Sequence, residues 1–385
     1  MKIAFVTTYN AKDIRNYSGT AYYMSKALID AGIEVEFIGD LKEMSAKHLI
    51  FRFRNLLYNR ILGHECGNYM SLYEPQNLKF IARQVEERVI IMDVDIIFSP
   101  GAIPIAYLNT KKPIVMWTDA TFAVMQNYYS CLTGLNKKTI KNSHLYEKNI
   151  LKRASLAIFS SEWAADSAIR DYRADPGKVK MIPYGANIEC ARNINDIVEI
   201  NSKKSRNICK LLLIGKEWER KGADTAVKIA VELNKLGVET ELTILGCTPP
   251  ASSSLPDFIH VLGFVDKSNT EGESLITNLY SESHFFILPT IAECTPIVFS
   301  EANSFGLPVI TTSTGGISSI IRNDINGKMF GTEIDIPYCA AYISEIFSNL
   351  DRYNEYSLSS FTEYMTRLNW SASITKCIGF LHELL

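Results

Sequence analysis

A chain of 385 residues is too long for one ordinary hydrophobic core and reads as two domains. Its 47% apolar content argues against a disordered polymer, and 40 basic against 42 acidic residues leave a formal net charge of −2, with no global surplus of the kind that draws a protein to nucleic acid. The eight cysteines are scattered, with no C-x-x-C pair and no histidine at ligand spacing, so they read as reduced, buried thiols of a cytoplasmic protein, and no metal site is expected.

Residues 2–8 read as a strand with no signal peptide ahead of it, followed by a polar loop and a helix over about 20–31. Further strands are expected at 34–39, 95–99, 113–118, 156–160 and 179–183. The most apolar stretch, 89–98, is interrupted by Asp93 and Asp95 and is too short to span a bilayer, which implies a soluble or peripheral protein. Around 186–207 the rhythm lapses into a polar stretch, NIECARNINDIVEINSKKSRN from Asn187, which reads as a domain boundary. It restarts with a strand at 208–214, a helix at 222–236, strands at 241–245, 260–262 and 285–288, a helix at 296–305 and a strand at 308–312. The final residues, 370–385, look helical and are in a position to cross back onto the first domain.

Uninterrupted Val/Ile/Leu runs separated by helices indicate parallel sheets covered on both faces. The organisation is therefore α/β: two doubly wound, Rossmann-like domains over 1–186 and 187–369, facing across a cleft, with 370–385 as a terminal helix. Ligands bind at the carboxyl ends of such strands. That architecture serves many functions, so the sites must decide.

The strongest local signal is 289–309, PTIAECTPIVFSEANSFGLPV. Glu293 lies in the loop after a buried strand, Thr295 and Pro296 make a helix start followed by Ile297, and Glu301 falls about two turns down that helix. Gly306 and Pro308 end it. Two carboxylates so placed can accept hydrogen bonds from a polyol, although a dipole-stabilising Glu and a solvated Glu would leave the same spacing.

A second signal is 211–222, LLLIGKEWERKG, where Lys216, Arg220 and Lys221 bring positive charge beside a helix start. It lacks the Walker A pattern, and a solvated surface loop is the alternative. In the first half, Gly19 in Asn16–Thr20 (NYSGT) lets backbone approach a ligand closely, while most such glycines only make turns. Asp119, in Trp117–Thr121, stands at a strand's carboxyl end, where it could orient a hydroxyl or cap a helix.

These segments, in order through nearly the whole chain, resemble the retaining glycosyltransferases of the GT-B fold, family 4. Glu293, Pro296–Ser300, Glu301, Ala302, the run from Phe305 to Val309, Thr314–Gly316 and Asn326–Gly327 stand where that family's pattern expects them. The resemblance implies transfer of a sugar from a nucleotide diphosphate sugar, UDP- or GDP-linked, to an acceptor hydroxyl on a glycan or lipid-linked acceptor, as in glycan, glycolipid or cell-surface polysaccharide synthesis. It implies no metal, no other cofactor and no covalent enzyme nucleophile. By the same resemblance Glu293 contacts the donor sugar, and Glu301 the ribose. Lys216 stands at the family's arginine position and Lys221 at its lysine, together facing the diphosphate, with bidentate geometry lost at Lys216. Val261–Asp266 (VLGFVD) falls where the family walls the base, so backbone amides of Phe264 or Val265 could read it, with core packing of Phe264 the alternative. Gly19 replaces a frequent glycine pair, and Asp119 lies near a position where many relatives have histidine. Tyr128–Asn136 (YYSCLTGLN) offers aromatics to an acceptor.

Residues 41–63 carry Lys42, Lys47, Arg52, Arg54 and Arg60 among apolar side chains, with only Glu43 opposing. Such a segment can meet anionic lipid at the inner face of a membrane, or pack its apolar side on the sheet. A nucleotide-sugar epimerase and a non-catalytic nucleotide-sugar-binding protein are the competing readings. A Rossmann dehydrogenase is disfavoured, because no G-x-G-x-x-G follows the first strand.

Overall fold

The apolar runs become two six-stranded parallel sheets in a computed structural model that describes residues 1–44, 53, 67–252, 254–267 and 269–385. By contacts the chain divides into one unit of Met1–Pro183 with Ser373–Leu385 and a second of Tyr184–Ala372.

The first unit holds β1 (Lys2–Val6), β2 (Glu34–Ile38), β3 (Ile96–Ser99), β4 (Ile114–Thr118), β5 (Leu156–Phe159) and β6 (Val179–Met181), in the order β2-β1-β3-β4-β5-β6. Every position of β3, β4 and β5 is buried, the condition that produces unbroken apolar runs in a sheet covered on both faces. At the chain's end Ser373 Oγ donates to the Pro183 carbonyl at 2.8 Å within this unit.

The second unit holds β7 (Cys209–Ile214), β8 (Thr240–Leu245), β9 (Ile259–Gly263), β10 (Phe285–Leu288), β11 (Val309–Thr312) and β12 (Gly327–Phe330), ordered β12-β11-β10-β7-β8-β9. The chain starts mid-sheet at β7, builds outward through β8 and β9, then returns to β10 on the other side of β7. The crevice above the carboxyl ends of β7 and β10 is therefore the switch point, where a doubly wound sheet binds ligands. In the first unit the corresponding point lies between β1 and β3.

The polar stretch 186–207 is not irregular throughout: it contains a helix, Ile194–Lys203. Asn193 and Asp196 form a reciprocal capping box, with the Asn193 amide donating to Asp196 Oδ2 at 2.7 Å. Ile197 anchors this helix, buried against Phe361 and Tyr364. Its apolar period is blurred because Ile194 and Val198 remain exposed.

Of the basic segment 41–63, residues 45–52 and 54–63 lie outside the described residues. Among the described residues no helix is long and apolar enough to cross a membrane.

Near the amino ends of β7 and β10, Lys204 Nζ donates to Tyr353 Oη at 2.9 Å, and that hydroxyl donates to the His284 carbonyl at 3.2 Å. Burial pushes Lys204 down to about 7, and burial together with the Lys204 charge pushes His284 down to about 3. The unfolded chain binds a proton on Lys204 up to its ordinary value of 10.5, whereas the folded chain releases it near 7. This lysine's contribution to stability thus rises with pH from about 7 towards 10.5 and is lost as pH falls through that window. Urea unfolding at pH 7 and pH 9 should show Lys204→Met gaining on the parent protein at pH 7, by on the order of a few kcal/mol. At pH 9 the gain should be smaller, and an equal gain at both would refute the assignment.

Candidate active site

Two loops meet above the switch point of the second unit. One runs from Gly215 to Gly222 after β7, and the other from Pro289 to Pro296 after β10. Gly222 holds them together: its φ is +72°, and a Cβ built there would lie 1.9 Å from the Pro289 carbonyl oxygen. Only glycine combines that left-handed backbone with so close an approach. The Arg220 carbonyl accepts from the Ile291 amide at 2.9 Å and the Thr290 hydroxyl at 2.8 Å. Trp218, buried in the first loop, donates from its indole to Asp224 Oδ1 at 2.8 Å and ties the loop to helix Ala223–Lys235.

Glu293 sits at this junction with 6% of its surface exposed. Its Oε1 accepts from Arg220 Nη1 at 2.9 Å and from Lys221 Nζ. The Glu293 carbonyl accepts from the Gly316 amide at 3.1 Å, which gives the Thr314–Gly316 segment a role in fixing the loop. Arg220 also donates from Nε and Nη2 to Glu217 Oε1 at 2.9 and 2.8 Å, and from Nη1 to the Ala292 carbonyl at 2.9 Å. The guanidinium holds the Glu217 carboxyl below the usual range, chiefly through these hydrogen bonds. Lys216 is exposed and has no recorded ion pair among the described residues.

The helix after Glu293 differs from the sequence expectation. It runs Ile297–Asn303, seven residues, with Pro296 as its N-cap and no side-chain cap. Pro296, at ψ 90°, is still extended, so the helix begins one residue later than its sequence suggests. Glu301 is consequently its fifth residue, little more than one turn in. The left-handed turn at Gly306, φ +63°, ends the segment.

Glu301 is 8% exposed, accepts from the Tyr280 hydroxyl at 3.2 Å and pairs with Lys267 Nζ at 3.6 Å. Its helix is fastened from behind. Arg192 lies 3.5 Å above the Phe305 ring and donates to the Ser304 carbonyl at 3.0 Å, while Ser304 Oγ donates to the Glu301 carbonyl at 2.7 Å. The Asn326 side chain donates to Asn303 Oδ1 at 2.7 Å, a structural role for the Asn326–Gly327 match. Tyr280, Lys267 and Arg192 carry no local sequence signal; tertiary packing alone brings them to Glu301 and its helix.

Phe264 follows β9 and is 73% exposed, which removes core packing as its fate; Val265 is half-buried beside it. In the first unit, Gly19 (φ +83°) ends a run of three left-handed residues after Tyr17 and Ser18 and opens helix Thr20–Asp30. Asp119 follows β4 and is half-buried. Burial, then the Asp119 charge, raises the Tyr9 hydroxyl above its ordinary value, so the loops after β1 and β4 share an electrostatic neighbourhood. Among the described residues no group of three or more His, Cys, Asp or Glu side chains is placed to hold a metal ion.

Comparison with known proteins converges on one class. The family model described as Glycosyltransferase Family 4 matches residues 19–189, and that described as Glycosyl transferases group 1 matches 209–349. A D-inositol 3-phosphate glycosyltransferase of Gordonia bronchialis is 22% identical over 198 residues, 48% of this chain and 43% of that protein. The UDP-Gal:alpha-D-GlcNAc-diphosphoundecaprenol alpha-1,3-galactosyltransferase of Escherichia coli is 26% identical over 166 residues, 41% of this chain and 43% of that one. The chain thus spans less than half the length of these curated relatives. Sucrose-phosphate synthase from Thermosynechococcus elongatus aligns with a TM-score of 0.68 at 16% identity, covering 100% of this chain and 99% of its own. Anabaena HepE, solved in complex with UDP-glucose, aligns at 0.61 and 14% identity, with full coverage of both chains. At these identities the two solved structures speak for the GT-B fold. With a glycosyltransferase model on each half, the chain belongs to the family-4, group 1 glycosyltransferases.

Proposed function

We propose that this protein transfers a sugar from a nucleotide diphosphate sugar to an acceptor hydroxyl with retention at the anomeric carbon, in the synthesis of a glycan, glycolipid or cell-surface polysaccharide. The observation that carries this reading is the cluster of Arg220, Lys221 and Glu293 at the switch point of the second unit, with Glu301 held by Tyr280 on the helix that follows. Cations beside a carboxylate suit a ligand that joins a diphosphate to a polyol.

In this reading Glu293 accepts hydrogen bonds from the donor sugar, and Glu301 from the ribose. Lys216 and Lys221 take the diphosphate, while Thr295, Pro296 and Ile297 line the approach to it. The backbone at Phe264 and Val265 meets the base, and the Gly19 loop closes on the phosphate or sugar. The C1–O bond to the diphosphate breaks, a C1–O bond to the acceptor forms on the same face, and the departing phosphate oxygen receives the acceptor's proton. Positioning and stabilisation of the leaving charge supply the rate, a role lysine ammonium groups can fill. A uridine donor is favoured: HepE was solved with UDP-glucose, and the Escherichia coli relative is named for UDP-Gal. The basic segment 41–63 is the part of the chain that would meet anionic lipid if the acceptor is lipid-linked.

Asp119 would orient an acceptor or donor hydroxyl. Asp119→Asn should lower turnover about a hundredfold while UDP affinity and melting temperature stay unchanged; normal turnover would remove Asp119 from the machinery. A thermal-shift screen of UDP- and GDP-sugars tests the wider reading, because a bound donor must stabilise the folded chain. No shift with any of them would sink it, and nucleotide release without an acceptor requirement would turn it towards an epimerase or hydrolase.

A further inference from the structure

Two cations share one oxygen of Glu293, and they are not equivalent. Among the described residues the Arg220 guanidinium donates at least four hydrogen bonds to three groups: two to Glu217, one to the Ala292 carbonyl and one to Glu293, at 2.8–2.9 Å. The residue's own carbonyl accepts from the Thr290 hydroxyl and the Ile291 amide. Turning the guanidinium away would break these four bonds together. Lys221, by contrast, makes its one side-chain hydrogen bond among the described residues to Glu293. A flexible ammonium with one acceptor can change partners at the cost of one contact, whereas a planar guanidinium with three fixed acceptors cannot.

We propose that Arg220 is a positioning residue, the permanent partner that aims Glu293, whereas Lys221 is an exchangeable partner that leaves Glu293 for the donor's diphosphate. This rests on the reading of Glu293 as a donor-sugar ligand. The two cations then divide the work. Arg220 keeps the carboxylate in place and partly neutralised throughout, and Lys221 arrives at the diphosphate without leaving Glu293 unpaired. Glu217 serves the same end at one remove, because it occupies the two guanidinium N–H groups that would otherwise let Arg220 rotate.

The test separates transfer from nucleotide binding. Arg220→Gln is expected to lower kcat/KM for the UDP-sugar that supports turnover by about 10- to 100-fold, the cost of a carboxylate misplaced by about an ångström. The Kd for UDP should stay within about threefold, because the residue does not touch the nucleotide. Lys221→Gln should weaken both. Should Arg220→Gln fail to fold, Glu217→Ala removes the acceptor of two of the guanidinium's bonds and should lower kcat/KM in the same direction by less. Unchanged kcat/KM in the variant measured, or a UDP affinity that falls as far as transfer does, would overturn the proposal. Glu293→Gln assayed alongside distinguishes the failures: normal transfer there defeats the reading of the site, whereas normal transfer in Arg220→Gln alone defeats only this inference.

Discussion

Glu293→Gln is expected to cut sugar transfer by about a hundred- to a thousandfold, the usual loss when one preorganised contact to a reacting group is removed. UDP binding should persist and is expected to tighten slightly, since Lys221 loses the carboxylate that now engages it. Glu301→Gln should do the opposite. It retains the side-chain shape but weakens acceptance from a ribose, so UDP affinity should fall about 10- to 100-fold, the worth of a hydrogen bond to a charged group. Calorimetric titration with UDP, set beside initial rates of transfer, checks both variants. The reverse pattern, with Glu293 governing nucleotide affinity and Glu301 only transfer, would exchange their roles.

Gly222→Ala should cost more than any other single methyl at the site. The left-handed backbone at φ +72° penalises an L side chain by about 1 kcal/mol, and the added Cβ would lie 1.9 Å from the Pro289 oxygen and 2.6 Å from its carbon. Both are backbone atoms, so relief requires the two loops to part, for a total of about 3 kcal/mol or more. Parting the loops also pulls Arg220 and Lys221 from Glu293. The variant should therefore melt several degrees lower, and its UDP affinity should fall too. A melting temperature within about 2 °C of the parent, with normal UDP binding, would show that the loops tolerate separation.

Much of this fold is legible in the sequence because strands buried on both faces read as near-continuous apolar runs: β5 and β10 are apolar throughout, and β3 and β4 are apolar up to a buried Ser99 and Thr118 at their carboxyl ends. The helix Ile194–Lys203 was readable only from its Asn193–Asp196 capping pair, since two of its apolar residues face solvent and spoil the period. At the site, Glu293, Glu301 and Lys221 are visible as a motif, and the structure brings Glu293 and Lys221 into contact although 72 residues separate them. The direction of Arg220 was not visible. It depends on the β10 loop arriving beside the β7 loop, a consequence of strand order and not of any local pattern. Tyr280 at Glu301 is hidden for the same reason. The short helix 297–303 shows the converse: the proline that signals a helix start stays outside it as an extended cap.

The central claim concerns what the switch point of the second unit handles, and the most direct measurement is the product. The chain should be incubated with the UDP-sugar that stabilises it and a panel of hydroxyl acceptors, with released UDP followed in parallel and the new linkage assigned by NMR. Acceptor-dependent UDP release with the donor's anomeric configuration kept in the product is the predicted result. An inverted product would contradict retention, and UDP release that ignores the acceptor would contradict transfer itself.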